Sequence, residues 1–161
     1  MLLLRWRRKS SLLTVLPMKI VNQPLHTDIL VIERSFITDE GYFGVCVFTQ
    51  MGHRCGYVGV DESHPLYGDE DFWEADVHGG ITYSRGFQEL ENALGITCWF
   101  FGFDCGHAGD IPDVEATKLY GFELRAPYLN GTARSTQYVI DEIKKLSAQL
   151  TPQSLMMRKM S

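Results

Sequence analysis

The chain has 161 residues, 45% of them hydrophobic and 22% charged, the composition of one folded domain rather than of a disordered or fibrous chain. No apolar run approaches the roughly 20 residues that cross a bilayer. A chain of this length buries about two-thirds of its unfolded surface, so Cys46, Cys55, Cys98 and Cys105 are not required as a disulfide framework and are expected to be thiols. The net charge of −5 is unevenly spread: residues 1–17 hold Arg5, Arg7, Arg8 and Lys9 and no acid, while residues 55–115 hold thirteen acids against one base, Arg85, a net of −12. Such a stretch repels phosphate backbones, so nucleic acid is disfavoured as a partner and a metal cation or a basic protein is favoured.

Residues 1–17 read as a flexible basic extension, from an upstream start codon, because their apolar stretch is short and no small-residue cleavage site follows. A basic arm for membrane or nucleic acid is the competing reading. A single domain then spans residues 18–152. Residues 28–37 are β-branched and apolar, and residues 43–50 and 55–60 flank the short connection Met51-Gly52-His53, which predicts a strand followed by a hairpin. The acidic, Pro- and Gly-punctuated residues 62–74 read as a loop. A strand interrupted by Gly79-Gly80 is expected over 75–84, and a central, doubly covered strand over 96–103.

A short helix is predicted over 87–94. A longer one is predicted over 136–150, where Val139, Ile143, Leu146 and Leu150 recur on one face. Pro152 should stop it and leave residues 153–161 as a frayed tail. The fold class is α+β, a compact domain with a mostly antiparallel sheet, one long C-terminal helix and one short helix.

Chemistry-bearing residues gather in two places. In WFFGFDCGHAGD an apolar strand stops at Asp104, Cys105, His107 and Asp110 with glycines between, where a rigid strand end meets a chain that turns freely. In DVHGG, His78 stands beside two glycines, and His64 lies between the two hairpin arms and this cluster in Ser63-His64-Pro65. Three imidazoles with carboxylates suffice as ligands of a catalytic metal, zinc foremost. In that reading His64, His78, Asp104 and His107 hold the ion, with Cys105 a further donor, and Asp110 accepts a proton from its bound water. The plainer reading is structural: short polar side chains satisfying turns and loop carbonyls. A third reading takes His78 as base and Cys105 as nucleophile of a caspase-like Cys-His hydrolase.

The strings CGYVGV…HPLYG, VHGGITYS and WFFGFDCGHAGD, followed by QYVIDEIKKLSAQL, resemble a family of small bacteriophage- and prophage-encoded proteins of unassigned function. The resemblance covers about residues 55–150. It implies a phage origin, a location in the cytoplasm of the infected host, and one constellation of His64, His78, Tyr83, Asp104, Cys105, His107 and Asp110. It brings no activity of its own; the residues themselves carry two expectations of function. One is a metal-dependent hydrolase of a small nucleotide-like substrate, with Asp110, Cys105 and Tyr83 serving the chemistry. The other is a non-catalytic counter-defence protein that binds a host defence protein, or sequesters its nucleotide signal, through an acidic surface or pocket.

Overall fold

The computed structural model describes residues 18–124 and 130–161, together with the backbone of residues 10–11 and 14–15. Those four residues pair as the antiparallel strands β1 (Ser10–Ser11) and β2 (Thr14–Val15). The rest of the expected N-terminal extension lies outside the described residues. The main sheet contains β3 (Leu25–His26), β4 (Leu30–Ile37), β5 (Phe43–Thr49), β6 (Arg54–Val60), β7 (Tyr83–Arg85) and β8 (Trp99–Asp104). They run in the order β3-β4-β5-β6-β8-β7, every pair antiparallel. Four helices accompany it: α1 (Gln88–Leu94), α2 (Val114–Leu119), α3 (Thr136–Gln149) and α4 (Pro152–Met160). The fold is the expected α+β class, and among the described residues no helix is long and apolar enough to cross a membrane.

Strand alternation sorts the core into two layers. Val45, Val47, Tyr57 and Phe100 face one side, where α1 delivers Leu90 and Leu94. Cys46, Val58, Phe101, Phe103 and Cys105 face the other, against Val139, Ile143, Leu146 and Leu150 of α3 and its C-cap. These four are fully buried, each contributing about 1.5–3 kcal/mol of apolar burial. Gly56 sets how near α3 comes, since a Cβ there would stand 2.4 Å from the Phe103 ring and 2.8 Å from Ile143. Ser135 caps α3 by accepting from the Tyr138 amide, fixing where its first turn begins.

A bulge between Ile32 and Arg34 turns Glu33 into the α3 side of the sheet. There its carboxylate, 3% exposed, takes the Arg54 guanidinium at 2.6 Å from Nε and 3.2 Å from Nη2. Arg54 Nη1 also donates to Asp113 at 2.7 Å and to the Arg134 carbonyl at 2.9 Å. This buried cluster joins β4 and β6 to the starts of α2 and α3, so it fixes the ground on which the loops stand.

Three local expectations are corrected. Residues 153–161 are not a frayed tail: Thr151 caps Ser154, and Pro152 occupies the first turn of α4, where its missing N–H costs nothing. The strand expected over 75–84 shrinks to β7, because residues 77–80 form a turn closed from the Gly80 amide to the Val77 carbonyl. A third helix, α2, follows the strand end, capped by the Asp113 carboxylate on the Ala116 amide. All four cysteines are buried free thiols, as expected.

Candidate active site

Past the end of β8 the chain adds one more ladder bond, from the Cys105 amide to the Arg54 carbonyl, and then leaves the sheet. Residues 107–110 make a turn closed from the Asp110 amide to the His107 carbonyl at 2.9 Å. That turn is sewn to the approach of α3 by Thr132, whose amide reaches the Gly109 carbonyl at 2.8 Å while its carbonyl takes the Ile111 amide at 3.1 Å. Asp110 is thereby set beside Arg134 and the first turn of α3.

His78 arrives from the opposite direction. Val77 and Ile81 anchor its turn in the core, and its amide donates to Glu142 Oε2 at 2.7 Å, locking the turn onto α3. Its ring lies between two partners: Nε2 is 2.7 Å from Asp110 Oδ2 and Nδ1 is 2.8 Å from the Tyr138 hydroxyl. The Asp110 carboxylate is 1% exposed and the imidazole 12%. Asp110 Oδ1 takes Arg134 Nε at 2.9 Å, and Oδ2 also takes the His107 amide at 3.1 Å.

Burial pushes the Asp110 carboxyl up, but the hydrogen bonds from His78, Arg134 and the His107 amide outweigh it and hold the group below its usual value. An ionised Asp110 can only accept, so His78 Nε2 donates to it, and in the tautomer with its proton on Nε2 the ring presents Nδ1 as the acceptor for the Tyr138 hydroxyl. Burial, and then Glu142, raise the Tyr138 phenol above its usual value, keeping it protonated at rest. The Arg134 guanidinium lies 4.9 Å over the Tyr138 ring, where it opposes that shift and can attract negative charge forming on the phenolic oxygen. The arrangement is carboxylate, imidazole, hydroxyl in series, with a cation above the hydroxyl-bearing ring.

Asp104 and His107 stand next to this series. Asp104 Oδ2 accepts from the Thr82 hydroxyl and Oδ1 from the Gly106 amide, each at 3.0 Å. His107 Nε2 comes 3.4 Å from Asp104 Oδ1 without the alignment of a hydrogen bond, and it is buried and unpartnered. The His107 and His78 ring centres are 6.0 Å apart. His53 Nδ1 is likewise buried and unpartnered. His53, His107, Asp110 and Asn130 line a cleft of about 260 Å³.

The structure thus brings His78, Asp104, His107 and Asp110 into one neighbourhood and leaves three expected members aside. His64 is 8% exposed and both its nitrogens are occupied, Nε2 by the Leu150 carbonyl at 2.6 Å and Nδ1 by the Leu66 amide at 3.0 Å. Tyr83 lies on the α1 side of the sheet, stacked with Phe87, its hydroxyl on the Gly86 carbonyl. Cys105 is 2% exposed, and burial, reinforced by Asp110, Cys55 and Asp104, pushes its thiol up to about 12, so it lacks the thiolate a cysteine nucleophile uses. Among the described residues no three His, Cys, Asp or Glu side chains, as they stand, are placed to hold one metal ion.

Sequence reasoning missed Tyr138, Arg134, Glu142 and His53 as site residues. Tyr138 precedes the buried Val139, and Glu142 precedes the buried Ile143, so both flank the helix stripe on a constant side. That offset is the signal a reader could have used. A cavity of about 580 Å³ between residues 65–74 and α4 is larger than this cleft but is lined by none of the residues of the series, so chemistry rather than size places the site. Comparison with protein-family models, curated proteins and solved structures finds no match to this chain.

Proposed function

We propose that the protein is a hydrolase that cleaves an ester bond of a small molecule by acid–base and covalent catalysis at Tyr138, His78 and Asp110. The observation that carries this reading is the His78 ring held between an ionised carboxylate at 2.7 Å and a phenolic hydroxyl at 2.8 Å. As the Tyr138 oxygen attacks the electrophilic centre, Nδ1 of His78 takes its proton. A bond from Tyr138 to the substrate forms, the bond to the leaving oxygen breaks, and that oxygen receives the proton from Nδ1. Water then attacks the tyrosyl ester and gives a proton to Nδ1, which returns it to Tyr138. Asp110 orients the ring and balances the transient imidazolium, while Arg134 faces the charge that grows on the phenolic oxygen.

The test is turnover of p-nitrophenyl phosphate and p-nitrophenyl acetate by the purified full chain, with mass spectrometry of Tyr138 for a trapped ester. We expect turnover of one ester, a loss of roughly 10²–10⁴-fold in Tyr138→Phe and in His78→Gln, and an adduct on Tyr138. Wild-type rates in Tyr138→Phe would remove the proposal, as would failure of the wild type on both esters.

A second reading, a phage counter-defence protein without catalysis, draws support from Glu70, Asp71, Glu74 and Asp76, all of which are exposed on one acidic segment. Such a face suits the basic groove of a host defence protein. Charge reversal of Glu70, Asp71 and Glu74 together should abolish partner binding in that case and leave ester turnover untouched in the first.

A further inference from the structure

On the hydrolase reading, on which this step rests, we infer that the ester is a phosphodiester with a single phosphate, whose two non-bridging oxygens are bound by Arg134 beside Tyr138. Within the protein the Arg134 guanidinium uses only Nε, which donates to Asp110 Oδ1 at 2.9 Å. Among the described residues no partner engages Nη1 or Nη2, and the side chain is partly exposed. The guanidinium is therefore fixed by one edge, 4.9 Å over the ring of the nucleophile, with its terminal fork left over. That fork presents parallel N–H groups whose spacing matches the paired oxygens of a phosphate, whereas the carbonyl of a carboxylic ester offers one oxygen. It selects phosphorus over carbon as the centre that Tyr138 attacks.

Charge narrows the substrate further. Arg134 is the cation bonded to the series, while Asp110 and Glu142 are bonded to it as well and Asp104 stands next to it. The dianion of a phosphomonoester would face this acidic ground with one cation to balance it. The monoanion of a diester is matched by that one guanidinium. A long polyanion is excluded for the same reason, since residues 55–115 carry −12. A diester also has a second arm, and the cleft of about 260 Å³ that shares Asp110 with the series has room for it. No Lys or Arg lines that cleft, so the arm it takes is uncharged.

The Tyr138 oxygen bonds to phosphorus as the oxygen of one arm leaves with the proton from His78 Nδ1. Water then bonds to phosphorus, the link to Tyr138 breaks, and the water proton passes through Nδ1 back to the phenol. The products are one alcohol and one phosphomonoester.

The test gives the purified full chain bis(p-nitrophenyl) phosphate beside p-nitrophenyl phosphate and p-nitrophenyl acetate. We expect kcat/KM for the diester to exceed that for the monoester, a slow substrate, by about tenfold or more. Each diester should release one p-nitrophenol and one p-nitrophenyl phosphate. Arg134→Gln should lose roughly 10²-fold or more in kcat/KM for the diester. Arg134→Lys keeps the charge without the fork and should raise KM for the diester about tenfold, at an unchanged circular dichroism spectrum. A role for Arg134 only in holding Asp110 would lower kcat and leave KM unmoved, and that result would overturn the inference. Turnover of the acetate or the monoester with none of the diester would also overturn it, while leaving the hydrolase reading in place. Turnover of none of the three would remove both.

Discussion

Asp110 Oδ2 stands 2.7 Å from His78 Nε2, a contact between two turns that are 32 residues apart in sequence, one held by α3 and the other by the segment leading into it. Glu142 ties down the His78 amide, and Arg134, just before α3, ties down the Asp110 carboxylate. Replacing Asp110 by Asn keeps the shape but weakens the acceptor for three donors, so the mostly buried His78 ring and the partly exposed Arg134 guanidinium lose their charged partner. We expect a destabilisation of about 1–3 kcal/mol, read from the urea midpoint. No change in midpoint would mean that the carboxylate charge contributes nothing to the fold.

The pH dependence of stability should show two steps. Burial holds the His64 ring below its usual 6.5, so the unfolded chain binds a proton that the folded chain refuses. Stability is therefore complete above about pH 6.5 and falls as pH drops toward the lower folded value. Asp110 and Asp113 are both held below the usual 3.8, and their contribution is present above that value and lost as pH falls through their folded values. Urea midpoints measured from pH 8 to pH 3 should show both declines. His64→Gln should flatten the upper one alone, and an undiminished upper step in that variant would refute the assignment.

Gly79 and Gly80 offer a paired comparison. Both have positive φ, +68° and +79°, yet a Cβ on Gly80 meets nothing within 4 Å while one on Gly79 strikes His107 Nε2. Gly80→Ala should cost the left-handed penalty of about 1–2 kcal/mol. Gly79→Ala should cost more and displace the His107 ring, visible as a shift of its imidazole resonances. Equal melting temperatures in the two variants would contradict the contact.

Glu33 and Arg54 form a buried pair whose members need each other. Arg54→Met alone leaves the Glu33 carboxylate unpaired at 3% exposure and should cost about 3–5 kcal/mol. Adding Glu33→Met should recover most of it in chemical denaturation. A double variant as unstable as the single one would show that packing, not charge, dominates there.

Thiol chemistry gives the simplest check of the core. Burial pushes Cys55 and Cys105 up to about 12 and drives Cys46 and Cys98 upward as well. At pH 8 the folded protein should therefore react slowly with a disulfide reagent and the unfolded chain should react rapidly at four sites. Fast reaction of a folded-state thiol, mapped to Cys105, would reopen the cysteine-nucleophile reading.

Much of the architecture was legible because long elements announce their period. The β5–β6 hairpin shows in the apolar arms around Gly52, and α3 shows in the spacing of Val139, Ile143 and Leu146. Short pieces carry no period: the two residues of β3 and the six of α2 depend on pairing and on one Asp113 cap. Pro152 marks a stop by its sequence and, in the structure, also a start. At the site, glycine-bounded clusters disclosed His78, Asp104, His107 and Asp110. Burial separated them from His64, which serves the Leu150 carbonyl, and strand alternation put Tyr83 on the far face. Tyr138 and Arg134 escaped notice because they lie on or beside a helix whose sequence speaks mainly of packing.

Since α3 plugs one side of the hydrophobic interior with Ile143 and Leu146 while Tyr138 and Glu142 project from neighbouring positions, neither Tyr138 nor the Glu142 anchor of the His78 turn can loosen without the interior feeling it. Heat inactivation should consequently follow the same curve as global melting, with no temperature range in which a folded but inert molecule accumulates.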